Sequence, residues 1–335
     1  MLTLNKPLEK IKNIKMPQAL TSIELCAGAG GQALGLEQAG FEHLALIDND
    51  LHACATLRQN RKKWNVIESD LRDFHAFDYK GVDLLAGGVP CPPFSIAGKQ
   101  LGIGDERNLF QEVIRIAKEC EPKAVMIENV KGLLNPKFDE YRRRITRSFE
   151  NIGLFGSWKL LYSSDFGVPQ LRPRVLFVAL GREYVPYFKW PDATHSKPVT
   201  VAESLYPLMK AAGWEKADEW RKVADKPAPT LVGGSKKHGG PDLGPTRARL
   251  AWANLGIDGR GLAEKPPENG FSGMPKLTVK MAAIIQGFSS SWEFYGKKTP
   301  AYRQVGNAFP PPVAGAVGRA IADALMKKES SCPKS

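Results

Sequence analysis

Short apolar runs alternate with helical patterns along the first half of the chain. The runs have the length of buried strands, and each is followed by glycine, proline or a polar residue, as at the end of a strand. A helical pattern at residues 109–117 separates two of them. This alternation predicts an open α/β fold. The predicted strands are residues 21–25, 44–47, 66–68, 82–86, 124–127 and 175–180.

The pattern changes at about residue 187. Prolines, glycines and tryptophans become more frequent, and regular structure returns only with a helical segment at residues 279–286. A turn at residues 303–312 is expected to open a last helix that runs to Met326. We therefore predict a smaller, irregular domain inserted into the main one. The predicted division is a basic tail at 1–19, a main domain at 20–186 and 276–327, the inserted domain at 187–275 and a second tail at 328–335.

Composition narrows the class of protein. The chain has 335 residues, of which 43% are hydrophobic and 24% charged, so it can bury a substantial core. No run approaches the roughly 18 apolar residues of a membrane span, and residues 1–19 lack the apolar block of a signal peptide. A cytoplasmic protein without membrane contact is expected. The 5 cysteines are scattered without metal-ligand spacing, which predicts neither disulfides nor a bound metal. The net charge of +12 favours a nucleic-acid partner.

Cys91 is the first candidate for chemistry. It lies between Pro90 and Pro92 in a glycine-rich loop directly after a predicted strand. Open α/β sheets carry their chemistry at such strand ends, and prolines stiffen the backbone that holds the thiol. A buried structural cysteine in a proline-rich turn is the alternative.

A glycine turn at residues 26–31 follows the first predicted strand and runs into a helix, which is the outline of a nucleotide site. Its spacing is not GxGxxG, so a pyrophosphate is not specifically indicated. Asp48, 20 residues beyond Gly28, could accept hydrogen bonds from ribose hydroxyls. Asp70 could accept from an adenine amino group. Each aspartate could instead be a helix cap or turn residue.

Further polar residues follow other predicted strands. Glu128 stands at the end of one strand, and an extended segment would place Gln170, Arg172 and Arg174 on one face. Two guanidinium groups on one face require carboxylates or phosphates, although a structural salt bridge would also satisfy them.

Two glycine-rich basic segments, at residues 94–108 and 228–249, are candidates for DNA contact. The first could be a lid over a phosphate backbone, and the second could approach a groove; surface loops are the alternative. The candidate DNA-binding residues are Ser95, Lys99, Arg107, Gln170, Thr230, Lys236, Lys237, His238, Arg247 and Arg249.

Taken together, these stretches resemble the C5-cytosine DNA methyltransferases over nearly the whole chain outside the tail and the inserted domain. The motifs are short, but they occur in the order and spacing of the family. The matching stretches are the glycine loop 26–31, Asp48, Asp70, Pro90-Cys91, Glu128-Asn129-Val130, Gln170-x-Arg172-x-Arg174 and Gly306-Asn307, with Thr230-Leu231 as a weaker match in the recognition domain.

The resemblance implies a Rossmann-like methyltransferase fold, S-adenosylmethionine as cofactor and S-adenosylhomocysteine as product. It implies DNA (cytosine-5-)-methylation of a flipped-out base in a specific duplex site, through a covalent bond from Cys91 to C6. Glu128, Arg172 and Arg174 complete the implied catalytic set. The implied cofactor-binding residues are Cys26, Ala27, Gly28, Gly30, Gly31, Asp48, Asn49, Asp70, Leu71, Pro90, Asn307 and Ala308.

The resemblance also implies a bacterial, monomeric enzyme of a restriction-modification system, with a separate endonuclease as companion. Two positions depart from the family pattern. Cys26 stands where an aromatic residue usually packs against adenine, and Lys276 and Lys280 are the nearest basic residues where an arginine usually begins a later helix.

Three alternatives remain open. An RNA methyltransferase of the same fold would share the motifs, although the large basic insert favours a duplex-reading enzyme. A nucleotide-linked oxidoreductase would share the glycine loop but should show GxGxxG. A DNA-binding relative without catalysis would not need Cys91, Glu128 and Arg174 together.

Overall fold

The computed structural model describes residues 19–90, 109–233 and 242–331. Its strands are β1 Leu20–Leu25, β2 Phe41–Asp48, β3 Val66–Glu68, β4 Leu84–Gly87, β5 Ala124–Val130, β6 Leu154–Tyr162, β7 Gln170–Leu171, β8 Pro173–Gly181 and β9 Ala228–Pro229. Its α-helices are α1 Gly31–Gln38, α2 Leu51–Asn60, α3 Phe110–Cys120, α4 Asp139–Glu150, α5 Val201–Lys210, α6 Ala217–Val223, α7 Thr246–Ala253, α8 Val279–Ile285, α9 Lys298–Asn307 and α10 Pro311–Ser331.

The main sheet has seven strands in the order β3-β2-β1-β4-β5-β8-β6. β1 to β5 run parallel, and β8 runs antiparallel between β5 and β6. Strand order reverses between β1 and β4, so their carboxyl ends form a topological switch point, where open α/β sheets bind ligands. This architecture confirms the predicted Rossmann-like methyltransferase fold.

The central strands are apolar because helices cover both faces of the sheet. All four residues of β4 are buried, as are the last four of β1. α3 packs one apolar face on the sheet, with Phe110, Val113 and Ile116 fully or almost fully buried. Among the described residues, no helix is both long and apolar enough to cross a membrane.

The expected turn at residues 303–312 is wrong in its first half. α9 continues through Arg303 and ends at Asn307. Gly306 suggested a turn, but it lies inside the helix. This helical position holds a glycine because the backbone at Gly233 passes very close: a Cβ on Gly306 would lie 2.4 Å from the Gly233 nitrogen. The glycine therefore serves close packing. α10 also continues to Ser331, beyond the expected end at Met326.

The region 187–275 contains short helices and irregular segments, as the loss of a regular strand and helix pattern predicted. Its buried residues, such as Leu205 and Trp252, share one hydrophobic cluster with Met281 and Val305 of the following helices. Packing is therefore continuous across residue 275. The division into a catalytic and a recognition domain stays a prediction.

Gln170 joins three parts of the chain. Its side-chain amide donates to the Ile285 carbonyl at 3.1 Å and to Gln286 Oε1 at 2.7 Å, and its oxygen accepts from the Leu231 backbone N–H at 2.8 Å. The residue is fully buried. It has no exposed side-chain atom to offer DNA, which corrects its expected role as a DNA contact.

We expect Gln170→Leu to lower the free energy of unfolding by about 2–4 kcal/mol, because it leaves several buried polar partners without a hydrogen bond. Urea unfolding of the full chain measures this. Gln111→Leu, on the exposed side of α3, is the matched control and should change stability by less than about 0.5 kcal/mol. Equal effects of the two substitutions would contradict the joining role of Gln170.

Candidate functional site

A cavity of about 280 Å³ lies at the carboxyl ends of the parallel strands, at the switch point of the sheet. The ends of β1 to β5, the first turn of α1 and the end of α9 surround it. Its lining is Glu24, Cys26, Ala27, Gly28, Ala29, Gly31, Gln32, Asp48, Asn49, Asp50, Ala53, Ser69, Asp70, Leu71, Gly88, Pro90, Leu109, Glu128, Arg303, Gln304, Asn307, Ala308 and Phe309.

The predicted cofactor-binding residues line this cavity, with the exception of Gly30. Gly30 has a left-handed backbone (φ +83°), and a Cβ there would lie 2.7 Å from Leu57 and 2.9 Å from Trp292. Its role is to let the turn between β1 and α1 pack tightly. Gly30 therefore shapes the loop, and cofactor binding by the loop stays a prediction.

Asp48 is fixed at the end of β2. Its carboxylate accepts from the Gly28 N–H at 2.8 Å and from the Asp50 N–H at 2.7 Å, which holds the glycine turn against this strand end. Asp50 in turn caps α2 and lies 3.5 Å from the Arg303 guanidinium. The acidic side chain expected to meet a ribose is thus held in a defined orientation on the cavity wall.

Asp70 also lines the cavity, but its carboxylate is already bound to a neighbour. Arg72 donates to it from Nε at 2.9 Å, from Nη2 at 2.8 Å and from its backbone N–H at 3.0 Å. The hydrogen bonds from Arg72 lower the pKa of Asp70 to about 2. Asp70 is therefore ionised at neutral pH, and its contact with adenine stays a prediction.

Cys26 has a left-handed backbone, with φ of +51°. Burial, with the nearby carboxylates of Asp48 and Asp70, raises the pKa of its thiol well above the ordinary value. A thiol that stays protonated is a poor nucleophile, so Cys26 contributes a small apolar surface to the cavity lining. Among the described residues, Phe309 is the aromatic residue in the cavity lining.

Glu128 and Arg174 form a partly buried ion pair, with 2.6 Å between Arg174 Nε and Glu128 Oε1. The pairing of β5 with β8 puts Glu128 opposite Leu176, so Arg174 is its diagonal neighbour on the same face. Side-chain exposure is 13% for Glu128 and 12% for Arg174. Burial lowers the pKa of Arg174, and the adjacent carboxylate of Glu128 opposes this effect.

This ion pair faces the start of the cysteine loop. A Cβ on Gly88 would lie 3.4 Å from Glu128 Oε2, and both Glu128 and Pro90 line the cavity. Cys91, the next residue, lies outside the described residues. The predicted DNA-binding residues Ser95, Lys99, Arg107, Lys236, Lys237 and His238 also lie outside them.

Arg172 is 1% exposed and is not part of the cavity lining. Its guanidinium donates to the carbonyl oxygens of Leu231, Gly306 and Ala308 at 2.8, 2.9 and 3.1 Å. Burial lowers the pKa of Arg172. The side chain therefore holds the end of α9 against the segment at Leu231. No described hydrogen bond joins it to the Glu128 carboxylate, and its catalytic role stays a prediction.

The remaining predicted recognition residues have separate positions. Thr230 donates its hydroxyl hydrogen to the Leu171 carbonyl at 2.6 Å, which ties β9 to β7. Arg249 lies 3.3 Å from the Thr246 hydroxyl, and Arg247 is exposed on α7. Lys276, three residues before α8, lies 3.9 Å from Asp258 of the irregular region.

Sequence reasoning missed two buried polar residues of the cavity floor, Glu24 and Gln32. A usable signal existed for Glu24, because a carboxylate within the apolar strand Ile23-Glu24-Leu25 is rarely buried without a partner. Arg303 and Gln304 were read as part of a turn, and only the continuation of α9 brings them to the cavity wall.

Comparisons with known proteins agree with this arrangement. The family model for C-5 cytosine-specific DNA methylase matches residues 20–232 and 247–323. The type II methyltransferase M.NgoMIV of Neisseria gonorrhoeae is 57% identical over 311 residues, which cover 92% of this chain and 99% of that protein. M.NaeI of Lentzea aerocolonigenes is 54% identical over 314 residues, covering 92% of this chain and 76% of that protein.

A solved structure of a Spodoptera frugiperda DNMT2 mutant has the same fold, with a TM-score of 0.62 and 17% identity over 91% of this chain and 100% of that one. The order of the sheet, the cavity at its switch point and the extent of the family match lead to one conclusion. The chain belongs to the C-5 cytosine-specific DNA methylase family and is a DNA cytosine methyltransferase.

Proposed function

We propose that this enzyme binds S-adenosylmethionine in the cavity and methylates C5 of a cytosine flipped out of a specific duplex DNA site, through a covalent bond from Cys91 to C6. The Glu128–Arg174 pair carries this proposal. Glu128 lines the cavity, as does Pro90, the residue before Cys91, and Arg174 holds the Glu128 carboxyl group at 2.6 Å.

The residues of the cavity suit this cofactor. S-adenosylmethionine is cationic, and the lining contains carboxyl groups at several strand ends, including Asp48 and Asp70. Asp48 is oriented by two backbone N–H groups and would accept from ribose hydroxyls. Leu71 and Cys26 would pack on the adenine. When bound, the cofactor supplies an electrophilic methyl group on a sulfonium.

Cytosine C5 is too weak a nucleophile for this methyl group until a nucleophile has added at C6. A thiolate suits that addition, and positive surroundings favour the thiolate form. Lys99 and Arg107 in the predicted lid would provide them. Cys91 forms a bond to C6, and the ring's electron density moves towards N3 and C5.

Glu128 would hold N3 by hydrogen bonding or by donating a proton, since charge develops there during the addition. Arg174 would bind the base's O2 while its Nε keeps the Glu128 carboxyl in place. After methyl transfer, the C5 proton leaves to a base, the bond from Cys91 to C6 breaks, and the ring becomes aromatic again.

A cytosine inside a stacked duplex cannot present a face to Cys91, so the nucleotide must leave the stack. The irregular region 187–275 would read the site, with exposed Arg247 among its DNA contacts. Phosphate contacts by basic residues would make binding strongly salt-dependent.

The curated relatives are type II methyltransferases. By analogy, we further propose that this enzyme acts as a monomer in the bacterial cytoplasm. There it would protect the same DNA site that a separate restriction endonuclease cuts.

A duplex with 5-fluorocytosine at the target should trap the wild-type protein covalently in the presence of cofactor, because fluorine cannot leave as a proton does. Denaturing electrophoresis measures the adduct. Cys91→Ala should form none, while the matched Cys26→Ala protein should still be trapped. An adduct with Cys91→Ala would exclude the assignment. Transfer of labelled methyl groups to tRNA but not to duplex DNA would exclude the DNA substrate.

Arg174→Lys should lower kcat by about 10²–10³, because a lysine ammonium cannot replace the oriented guanidinium that holds Glu128. The KM for cofactor should change little. Steady-state kinetics on duplex DNA test this, with Arg182→Lys, an exposed arginine after the same strand, as control. A kcat within about threefold of wild type would argue against the role of the ion pair.

Asp48→Ala should raise the KM for cofactor by about tenfold or more, since a hydrogen bond to a charged group is worth about 1.5–3 kcal/mol. Cys26→Ala should leave turnover largely intact, because the thiol adds only a small apolar surface. Cofactor titrations at saturating DNA compare the two. The reverse order of effects would mean that the cofactor lies elsewhere in the cavity.

A further inference from the structure

The outer side of α4 carries arginines that do not belong to the cavity. Arg143, Arg144 and Arg147 are exposed on it, while Ile145 and Phe149 are buried in a hydrophobic cluster with residues of the sheet. Arg147 follows Arg143 by four residues and Arg144 by three, so their like charges lie next to each other on the helix surface and repel. Among the described residues, no carboxylate pairs with Arg144 or Arg147.

The helix beside it, α3, neutralises its charges within the helix. Its Arg115 pairs with Glu112 at 2.7 Å and with Glu119 at 2.6 Å. In α4, Glu140 pairs with Arg143 at 2.9 Å, but the two side chains are 61% and 60% exposed, and an exposed ion pair is weak. The outer side of α4 therefore keeps an excess of positive charge, which an anionic partner would compensate.

These arginines stand on a firmly held part of the fold. The Arg142 guanidinium pairs with Asp139 and donates to the Leu133 carbonyl, which fixes the first turn of α4 to the segment after β5. Two exposed lysines of this segment, Lys131 and Lys137, form no ion pair with a described carboxylate. We call the following residues the α4 surface: Lys131, Lys137, Arg143, Arg144 and Arg147.

The α4 surface begins near the cavity, although none of its residues lines the cavity. Lys131 follows Glu128, a residue of the cavity lining, by three positions. A helix rises by about 15 Å over the ten residues from Lys137 to Arg147. The surface is therefore a row of cations that leads away from the catalytic edge of the sheet.

A groove of about 420 Å³ lies between α4 and β6, the edge strand of the sheet. Arg142, Arg143 and Arg147 line it, together with two carboxylates, those of Asp139 and Glu150. Guanidinium groups thus outnumber carboxylates in the groove, and its open space gives an anion access to them.

We propose that the α4 surface binds the phosphate backbone of duplex DNA outside the site that is methylated. Guanidinium groups bind phosphates through paired N–H donors and stay charged at every physiological pH. Over about 15 Å a duplex presents about nine phosphate charges, so a row of cations of this length matches a polymer of phosphates. The inference rests on DNA as the substrate and goes beyond the proposed reaction, because it concerns DNA that is not methylated.

Binding to duplexes of two lengths tests the proposal. The target site is first located by bisulfite sequencing of plasmid DNA that the enzyme has methylated. A short duplex of about 16 base pairs covers the site alone, and a long duplex of about 60 base pairs carries the same site between flanks that supply further phosphates. Fluorescence anisotropy, at several salt concentrations and with S-adenosylhomocysteine present, gives the dissociation constants.

Three variants are compared with wild type. The first carries Arg143→Gln, Arg144→Gln and Arg147→Gln together, and the second carries Arg144→Gln alone. The third is a control that removes the same charge from exposed lysines at the ends of α2 and α3: Lys62→Gln, Lys63→Gln and Lys118→Gln.

The triple arginine variant should bind the long duplex about tenfold or more weakly than wild type. Its slope of log K against log salt should be smaller by about 2–3, since each lost phosphate contact removes about 0.9. Its affinity for the short duplex, and kcat on it, should stay within about twofold of wild type because the missing contacts lie outside the site. Arg144→Gln should reduce the slope by about 1, and the lysine control should resemble wild type on both duplexes.

Equal losses on the short and long duplexes, an unchanged slope in the triple arginine variant, or an equal effect of the lysine control would overturn the inference. Polyglutamate that competes with the long duplex as strongly as site-free DNA of equal charge would also overturn it, because the surface would then fit an acidic protein. Failure of wild type to methylate plasmid DNA would refute the proposed reaction instead, and site-free duplexes of both lengths would still decide the α4 surface.

Discussion

The buried guanidinium of Arg172 is the contact on which the site depends. It donates to carbonyl oxygens of Leu231, Gly306 and Ala308, and so joins the sheet to the irregular region and to the end of α9. A buried cation needs several acceptors, and these acceptors come from segments far apart in the chain. Gln170 makes the same kind of connection two residues earlier. Together they fix the wall of the cavity that Asn307 and Ala308 form.

Close backbone contact makes this arrangement possible. Gly306 and Gly233 meet at a distance that no side chain would allow, which brings α9 against the irregular region. Gly31 similarly leaves room for the Phe309 carbonyl oxygen, which a Cβ would approach to 2.2 Å. The glycines of the first and last motifs therefore let the turn after β1 and the end of α9 lie against the same cavity.

Charge is distributed unevenly in this protein. The whole chain has a net charge of +12, whereas carboxyl groups dominate the cavity lining. A basic exterior attracts a polyanion, and an acidic cavity favours a cationic ligand. Glu128, which is paired with Arg174, lines the cavity together with Pro90. The geometry of this pair keeps a carboxyl group mostly buried while a neighbouring guanidinium compensates its charge.

The sequence by itself determined the type of fold and the residues at the strand ends. A strand that is buried on both faces, such as β4, has few polar positions, so it shows in the sequence as a continuous apolar run. The acid that follows such a run is also a local feature of the sequence. Glu128, Asp48 and the glycine loop were found in this way, and so was Cys91 as a candidate.

Only the tertiary structure decided what the residues touch. Gln170 looked like a DNA contact because it lies close to two arginines in the sequence. In the structure its side chain is buried and forms hydrogen bonds with Leu231 and Gln286. The helix through Arg303 was hidden because Gly306 lowers helix propensity, and the reason for this glycine lies in a segment more than 70 residues away. Glu24 was missed for a similar reason, because it lines a cavity that forms only once α1, β2 and α9 have come together.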